Sequence, residues 1–388
     1  MTSPEESSAA DKVFLRGCAV ANPDDWSGQE EALRKLGNME WRSVAALAVQ
    51  HGFAGLLARN LSWAQDKAGM RVPILEELAA LRRGQLVQHL ARRAAARKAG
   101  EALALKGIPF VFFKGVVLAE EFYGDLSLRG FRDCDVMVPR ERVDEAYAVA
   151  LELGYVLCQF DHVRNFVALG AHAAGMSHPE GTGLDLHWSI ATDVLEPEKV
   201  ANIWRHCVPA ASDAHLPGLR LSPEMTLIHL AKHFHSHQYG SVKPLVDFQV
   251  AARKLGPHID MGELTATAQA LDLLPLVDIA ATLCERCFIT GSLPPALTSR
   301  APTLQARLAH RFVSDGLILH AHKRSRLGNW IRYLLAAGSL ATSARSILEI
   351  LVPGKLVLVQ FFNRPFRATM YPRYYWRQLL KVLTLSRT

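Results

Sequence analysis

Nowhere does an uncharged apolar run reach the roughly 18 residues that a membrane-spanning helix needs. The opening stretch, MTSPEESSAADK, has neither a basic start nor an apolar run, so no secretory signal is expected in it. Cysteines are few, six in 388 residues, and their spacing makes no disulfide framework. Cys284-x-x-Cys287 lies in a helical pattern without the second pair or the histidines that a zinc site requires, and reads as structural. A reducing, cytoplasmic setting is the simplest account of such cysteines. Internal repeats are not evident. The arginines from Arg82 to Arg97 have no aromatic residues among them, so they read as a solvated helix face rather than a nucleic-acid track.

What is present is an ordinary globular composition, 49% hydrophobic and 21% charged. The formal charge of +7 is unevenly spread. From His320 onward there are 12 Lys or Arg and a single acid, Glu349, which leaves the rest of the chain mildly acidic. The segment Tyr371 to Leu383 mixes aromatics, leucines and cations. It suits an anionic membrane surface, and it suits equally packing on the core or docking on a partner protein.

The chain divides by pattern. Residues 1–11 read as a disordered lead, rich in Ser, Glu, Asp and Ala. Residues 12–105 carry apolar positions at helical spacing, as in Val44, Leu47, Ala48 and His51 and again in Leu75, Leu78, Leu81, Leu86 and Leu90. Residues 106–220 alternate strand and helix patterns. Residues 221–327 are helical again, opened by Ser222 as cap and Pro223 at the first helical position. Residues 328–388 form a basic, apolar tail, with apolar stretches at Trp330 to Leu340 and Ile347 to Phe362. The expected fold class is α+β: a small mixed sheet, with helices packed on one face, flanked by N-terminal and C-terminal helical regions.

The rest is organised around Phe110 to Val138, FVFFKGVVLAEEFYGDLSLRGFRDCDVMV. A buried-strand run, Phe110-Val111-Phe112-Phe113, meets a sharp break at Lys114-Gly115, and a helical pattern follows. After a polar turn comes Arg132-Asp133-Cys134-Asp135-Val136-Met137-Val138. On a strand, Asp133 and Asp135 point to one face. Like charges so placed persist when a cation sits between them or when they face water. Mg²⁺ is commonly bound by one or two carboxylates together with substrate phosphates. The Lys114-Gly115 turn offers backbone N–H groups and an ammonium to a phosphate. Arg129 and Arg132 either hold phosphates or pair with the aspartates. A later strand pattern, Leu184-Asp185-Leu186-His187-Trp188, puts a third carboxylate and a histidine on one face. Three carboxylates on neighbouring strands beside a glycine turn are what two-metal phosphoryl or nucleotidyl transfer needs. His229, His233 and His237 share a helix stripe, but no carboxylate or cysteine completes a metal site there.

These motifs, the Lys-Gly turn, the R-D-x-D strand and the L-D-L-H-W strand, resemble the uncharacterised nucleotidyltransferase family of the DNA polymerase β-like nucleotidyltransferase superfamily, over roughly residues 40 to 290. The turn departs from the wider superfamily, which has Gly-Ser there. The resemblance implies a transferase that moves a nucleoside monophosphate from an NTP to an acceptor hydroxyl. Asp133, Asp135 and Asp185 would carry catalysis and bind metal, as two Mg²⁺ ions. Lys114, Gly115, Arg129, Arg132 and Lys243 would contact the nucleotide or its phosphates, and His187, His233 and Asp247 the acceptor or the groups around it. The mildly acidic core disfavours a polynucleotide acceptor and leaves a small molecule, a sugar or a peptide. Two competing classes are a non-catalytic nucleotide or metabolite binder, which need not keep three clustered charges, and a membrane-surface or interaction protein working through the basic tail.

Overall fold

A computed structural model describes residues 8–19, 30–288, 293–320, 352, 355–362 and 367–384. The apolar stretch at residues 330–340, and residues 347–351, 353 and 354 of the next one, lie outside the described residues.

The helical patterns before residue 106 fold as α1 (Ala9–Ala19), α2 (Glu30–Arg34), α3 (Asn38–His51), α4 (Ala54–Ala68) and the long α5 (Leu75–Leu105). α1 begins at Ala9, inside the stretch whose composition suggests a disordered lead. Ala10, Val13 and Phe14 are buried there, and residues 1–7 lie outside the described residues.

Seven short strands then make one mixed sheet: β1 (Val111–Phe112), β2 (Asp133–Met137), β3 (Val156–Leu157), β4 (Ala173–Ser177), β5 (Gly183–His187), β6 (Cys207–Pro209) and β7 (Leu219–Leu221). Their spatial order is β3-β4-β5-β2-β1-β7-β6. β2 runs parallel to β5 and β1 parallel to β7; the remaining pairings are antiparallel. Between strands lie the short α6 (Gly115–Val117), which widens into a π turn over Leu118–Phe122, then α7 (Val143–Glu152), α8 (Val163–Ala168) and α9 (Pro197–Arg205). The later helices include α10 (Pro223–Ser236), α11 (Val242–Leu255), α12 (Met261–Ala270) and α13 (Leu274–Cys287). α10 starts as its sequence dictates: the Ser222 hydroxyl accepts from the Met225 N–H at 3.2 Å, and Pro223 occupies the first turn.

Side-chain alternation sorts the sheet into two faces. Phe112, Val136, Val138 and Leu186 pack with Ala96 and Leu103 of α5 and Tyr147 of α7. Val111, Phe113 and Met137 enter a second core, built from Phe14, Leu47 and Leu57 on one side of the sequence and Ile228, Phe248 and Leu283 on the other. Helices therefore cover both faces, not one. The early and late helices also share that second core, because neither set could bury its apolar stripe alone. Asp133 and Asp135 lie in phase with Met137 and so face the side roofed by α10 and α11.

Candidate active site

The parallel pairing of β2 with β5 sets Asp135 level with Asp185, Met137 with His187, and Asp133 with Gly183. One donor atom each from Asp135, Asp185 and His187 lies within 4.8 Å of the other two. His187 Nε2 is 3.1 Å from Asp135 Oδ1. The Lys114 ammonium sits 2.5 Å from the same oxygen. Asp133, half-buried at the start of β2, is not in this three-donor group. The sequence grouped Asp133, Asp135 and Asp185; the structure gathers Asp135, Asp185 and His187, because cross-strand register brings those two strand levels together.

Two glycines make the arrangement possible. Gly115 has φ +45°, and a Cβ there would stand 2.8 Å from the Asp133 carbonyl oxygen, so the turn can lie against β2 only with glycine. Gly175 on β4 pairs with Asp185, and a Cβ on it would come within 3.3 Å of Asp185 Oδ1.

The two central carboxyls have opposite environments. Burial alone would raise the pKa of Asp135, but the Lys114 ammonium and His187 outweigh it and hold the group well below the usual carboxylate range. Asp185 is pushed upward, first by burial and then by the negative charge of Asp135. One carboxyl is fixed as an anion and its neighbour is poised to take a proton.

Asp185 opens onto a cleft of about 420 Å³, while Asp135 is buried behind it. Lys114, Asp185 and His187 line the sheet side, and His233 and His237 of α10 line the opposite wall. His172, at the entry to β4, completes the floor, its ring 5.5 Å from that of His187. Burial and then the charge of Lys114 hold His233 well below the usual imidazole range. Burial and then His187 lower His172 to about 3. These rings are neutral at pH 7. Behind them His229 is buried edge-on to Phe113, with neither ring nitrogen hydrogen-bonded. His229 and His233 stack on α10 at a ring spacing of 5.9 Å, and His237, just past its end, meets His233 edge-on at 4.6 Å. Among the described residues they join no group of three metal-ligating atoms.

The remaining residues singled out by sequence lie beside the cleft. Arg129 is buried, with Nε 2.6 Å and Nη2 2.7 Å from the two oxygens of Asp247 on α11, and Tyr123 donates to the same carboxylate at 2.8 Å. Both of its forked donors are thus engaged by Asp247, and it does not face the cleft as a phosphate ligand. Burial opposes the Arg129 charge, but Asp247 more than restores it and raises the pKa. Asp247 clamps the loop after the π turn onto α11, which aims the chain into β2. The Lys243 ammonium donates to the Gly130 carbonyl. Burial, followed by the Arg129 charge, lowers its pKa to about 7. Arg132 is exposed at the edge of β2.

The sequence of this chain matches the profile of a family described as uncharacterised nucleotidyltransferases over residues 37–289, well over half its length. The chain belongs to that nucleotidyltransferase family. No curated protein matches it. Among solved structures, the crystal structure of ANT(2″)-Ia in complex with adenylyl-2″-tobramycin is 17% identical, over 47% of this chain and 97% of that one, with a TM-score of 0.34. The solution structure of the antibiotic-resistance factor ANT(2″)-Ia is 16% identical, over 47% of this chain and 91% of that one, with a TM-score of 0.33. Likenesses of this size say nothing about what this nucleotidyltransferase acts on.

Two residues near the Asp135, Asp185 and His187 group carry no sequence signal. His172 lies within a stretch, Phe160 to Gly175, whose pattern matches neither helix nor strand, and only the β4–β5 pairing brings it beside His187. Arg92 on α5 donates to the Phe131 carbonyl at 2.8 Å. Burial lowers its pKa, against the opposing charge of Asp133. In sequence it is one of many arginines on a helix face.

Proposed function

We propose that this nucleotidyltransferase moves a nucleoside monophosphate from an NTP to a hydroxyl of a small-molecule, sugar or peptide acceptor, with Mg²⁺ as the expected divalent cation. The observation that carries this reading is the group Asp135, Asp185 and His187, closed on one side by Lys114 and open on the other to a cleft of about 420 Å³. The donor set fits a cation: Asp135 already draws the Lys114 ammonium to 2.5 Å, so a positive charge is favoured at that point. Asp135 and Asp185 would hold it, with Asp133, half-buried at the start of β2, offered to a second. A bound divalent cation supplies charge neutralisation to the triphosphate.

The protein's own groups do the rest. The triphosphate lies along the Lys114-Gly115 turn, where the Lys114 ammonium can leave Asp135 and follow the phosphate oxygens. Arg132, exposed at the strand edge, and Arg92 near Asp133 add positive charge at the start of β2. The acceptor enters the histidine-walled cleft. The oxygen of Asp185 not engaged by the cation faces the cleft and takes the proton of the acceptor hydroxyl. That oxygen forms a bond to the α-phosphorus as the bond to the β-phosphate oxygen breaks, and pyrophosphate leaves. His187 fixes Asp135 in position, and neutral His233 can hydrogen-bond the acceptor. Arg129, Asp247 and Lys243 hold the loop that leads into β2.

Incubation with α-labelled ATP, GTP, CTP or UTP and a panel of hydroxyl-bearing acceptors tests the reaction. Labelled acceptor and pyrophosphate are expected in equal amounts. Release of the γ-phosphate instead would contradict it.

The tail supplies a peripheral contact. The helix Met370–Thr384 has no acidic residue, and Trp376, 61% exposed, stands with Tyr375 beside Arg373 and Arg377. Among the described residues no helix is long and apolar enough to cross a membrane. Co-sedimentation with phosphatidylserine vesicles should be lost when the chain is ended at Arg326. Equal binding by both chains would remove the tail from the account.

A further inference from the structure

The donor set of the site is not all oxygen. Asp135 and Asp185 are joined by an imidazole, His187, which is 3% exposed. Its Nε2 lies 3.1 Å from Asp135 Oδ1, about the separation of two neighbouring ligands on one metal ion with bonds near 2.1 Å. Its other nitrogen, Nδ1, is buried without a partner, so among the described residues the one hydrogen bond of the ring is the one to Asp135. The ring is held edge-on to Phe113 at 5.1 Å, and the main chain of its neighbour Trp188 is tied to the His172 carbonyl at 2.9 Å. His187 is therefore fixed in place before any ion arrives.

Ligand chemistry then bears on which ion is preferred. Magnesium demands oxygen ligands and gives up its waters reluctantly, whereas imidazole suits first-row transition ions. We propose that His187 is a metal ligand and that it makes this site select Mn²⁺, or a similar transition ion, over Mg²⁺. The inference rests on the metal-dependent reading above and refines it. The two remain separable, because the earlier reading asks metal ligation only of Asp135 and Asp185 and uses His187 to position Asp135.

The test uses the full chain and the metals alone, then each metal with ATP. Calorimetry with MnCl₂ and MgCl₂ measures the preference, and pulsed electron paramagnetic resonance of bound Mn²⁺ detects a directly coordinated imidazole nitrogen. Wild-type protein should bind Mn²⁺ more than about tenfold tighter than Mg²⁺ and show nitrogen coupling. The coupling should vanish in His187→Gln and persist in His233→Gln, while the preference in His187→Gln falls to within about threefold. Should His187→Gln fail to fold, the wild-type spectrum alone still decides. Mn²⁺ binding that depends on Asp135, but shows no nitrogen coupling with or without ATP, overturns the role of His187 and leaves the carboxylate site standing. Binding of neither ion in an Asp135-dependent manner overturns both.

Discussion

Two buried ion pairs lie close together in this protein, and they are built differently. Arg129 and Asp247 form a closed pair: a rigid guanidinium fork meets both carboxylate oxygens, and the Tyr123 hydroxyl joins one of them. Lys114 and Asp135 form an open one. A flexible ammonium touches one oxygen, an imidazole shares it, and a second carboxylate, Asp185, stands level without a cation of its own beside a cleft. A saturated pair contributes position. An unsaturated pair of carboxylates, held together by strand register against their repulsion, contributes chemistry.

The comparison breaks most visibly where the closed pair is cut. Arg129→Ala or Asp247→Ala leaves an uncompensated buried charge and should cost about 3–5 kcal/mol of stability, read as a fall in the denaturation midpoint. A change below about 1 kcal/mol would show the pair to be solvated and the contrast false.

Cutting the open pair should act on activity. Asp135→Asn or Asp185→Asn should lower kcat by about 10²–10³-fold or more, with little change in melting temperature. Activity and thermal unfolding measured on the same preparations check this, and unfolding without a specific loss of transfer would reverse the assignment. Lys114→Met should weaken NTP binding by about tenfold, since it removes one charge-assisted contact to phosphate; unchanged affinity would leave Lys114 as a counter-ion alone.

The smallest effect concerns pH. Burial holds His172 at about 3 and His229 well below its ordinary value of 6.5. A histidine whose folded pKa is depressed stays neutral in the native state while the unfolded chain takes up a proton. Stability is then full above about pH 6.5 and falls as pH drops toward the folded value, by about 1.4 kcal/mol per pH unit for each such group. Denaturant titrations between pH 7 and 4 should show this slope, shallower in His229→Gln. An equal slope in that variant would mean that His229 is solvated.

Local chemistry made much of this legible from sequence. The Phe110 to Phe113 run, the glycine at 115, the alternation of Asp133 and Asp135 and the Ser222-Pro223 start are decided by neighbours in the chain, and each lies where those neighbours dictate. What register decides was not legible. Nothing in the residues says that Asp185 stands opposite Asp135, that His187 completes the group in place of Asp133, or that His172 joins them from the end of an unassigned stretch. Arg129 read equally well as a phosphate ligand, because its partner Asp247 lies on a helix far along the chain. The helix cover on the second face was hidden for the same reason: early and late helices complete one core that neither contains by itself.

The central claim is that Asp135 and Asp185 form a cation-dependent nucleotide site. Calorimetric titration of the wild-type protein and Asp135→Asn with each of the four NTPs, with and without divalent cation, addresses it most directly. The account predicts cation-dependent binding of at least one NTP that disappears in Asp135→Asn. Binding that is indifferent to the cation, or unchanged in the variant, would contradict it.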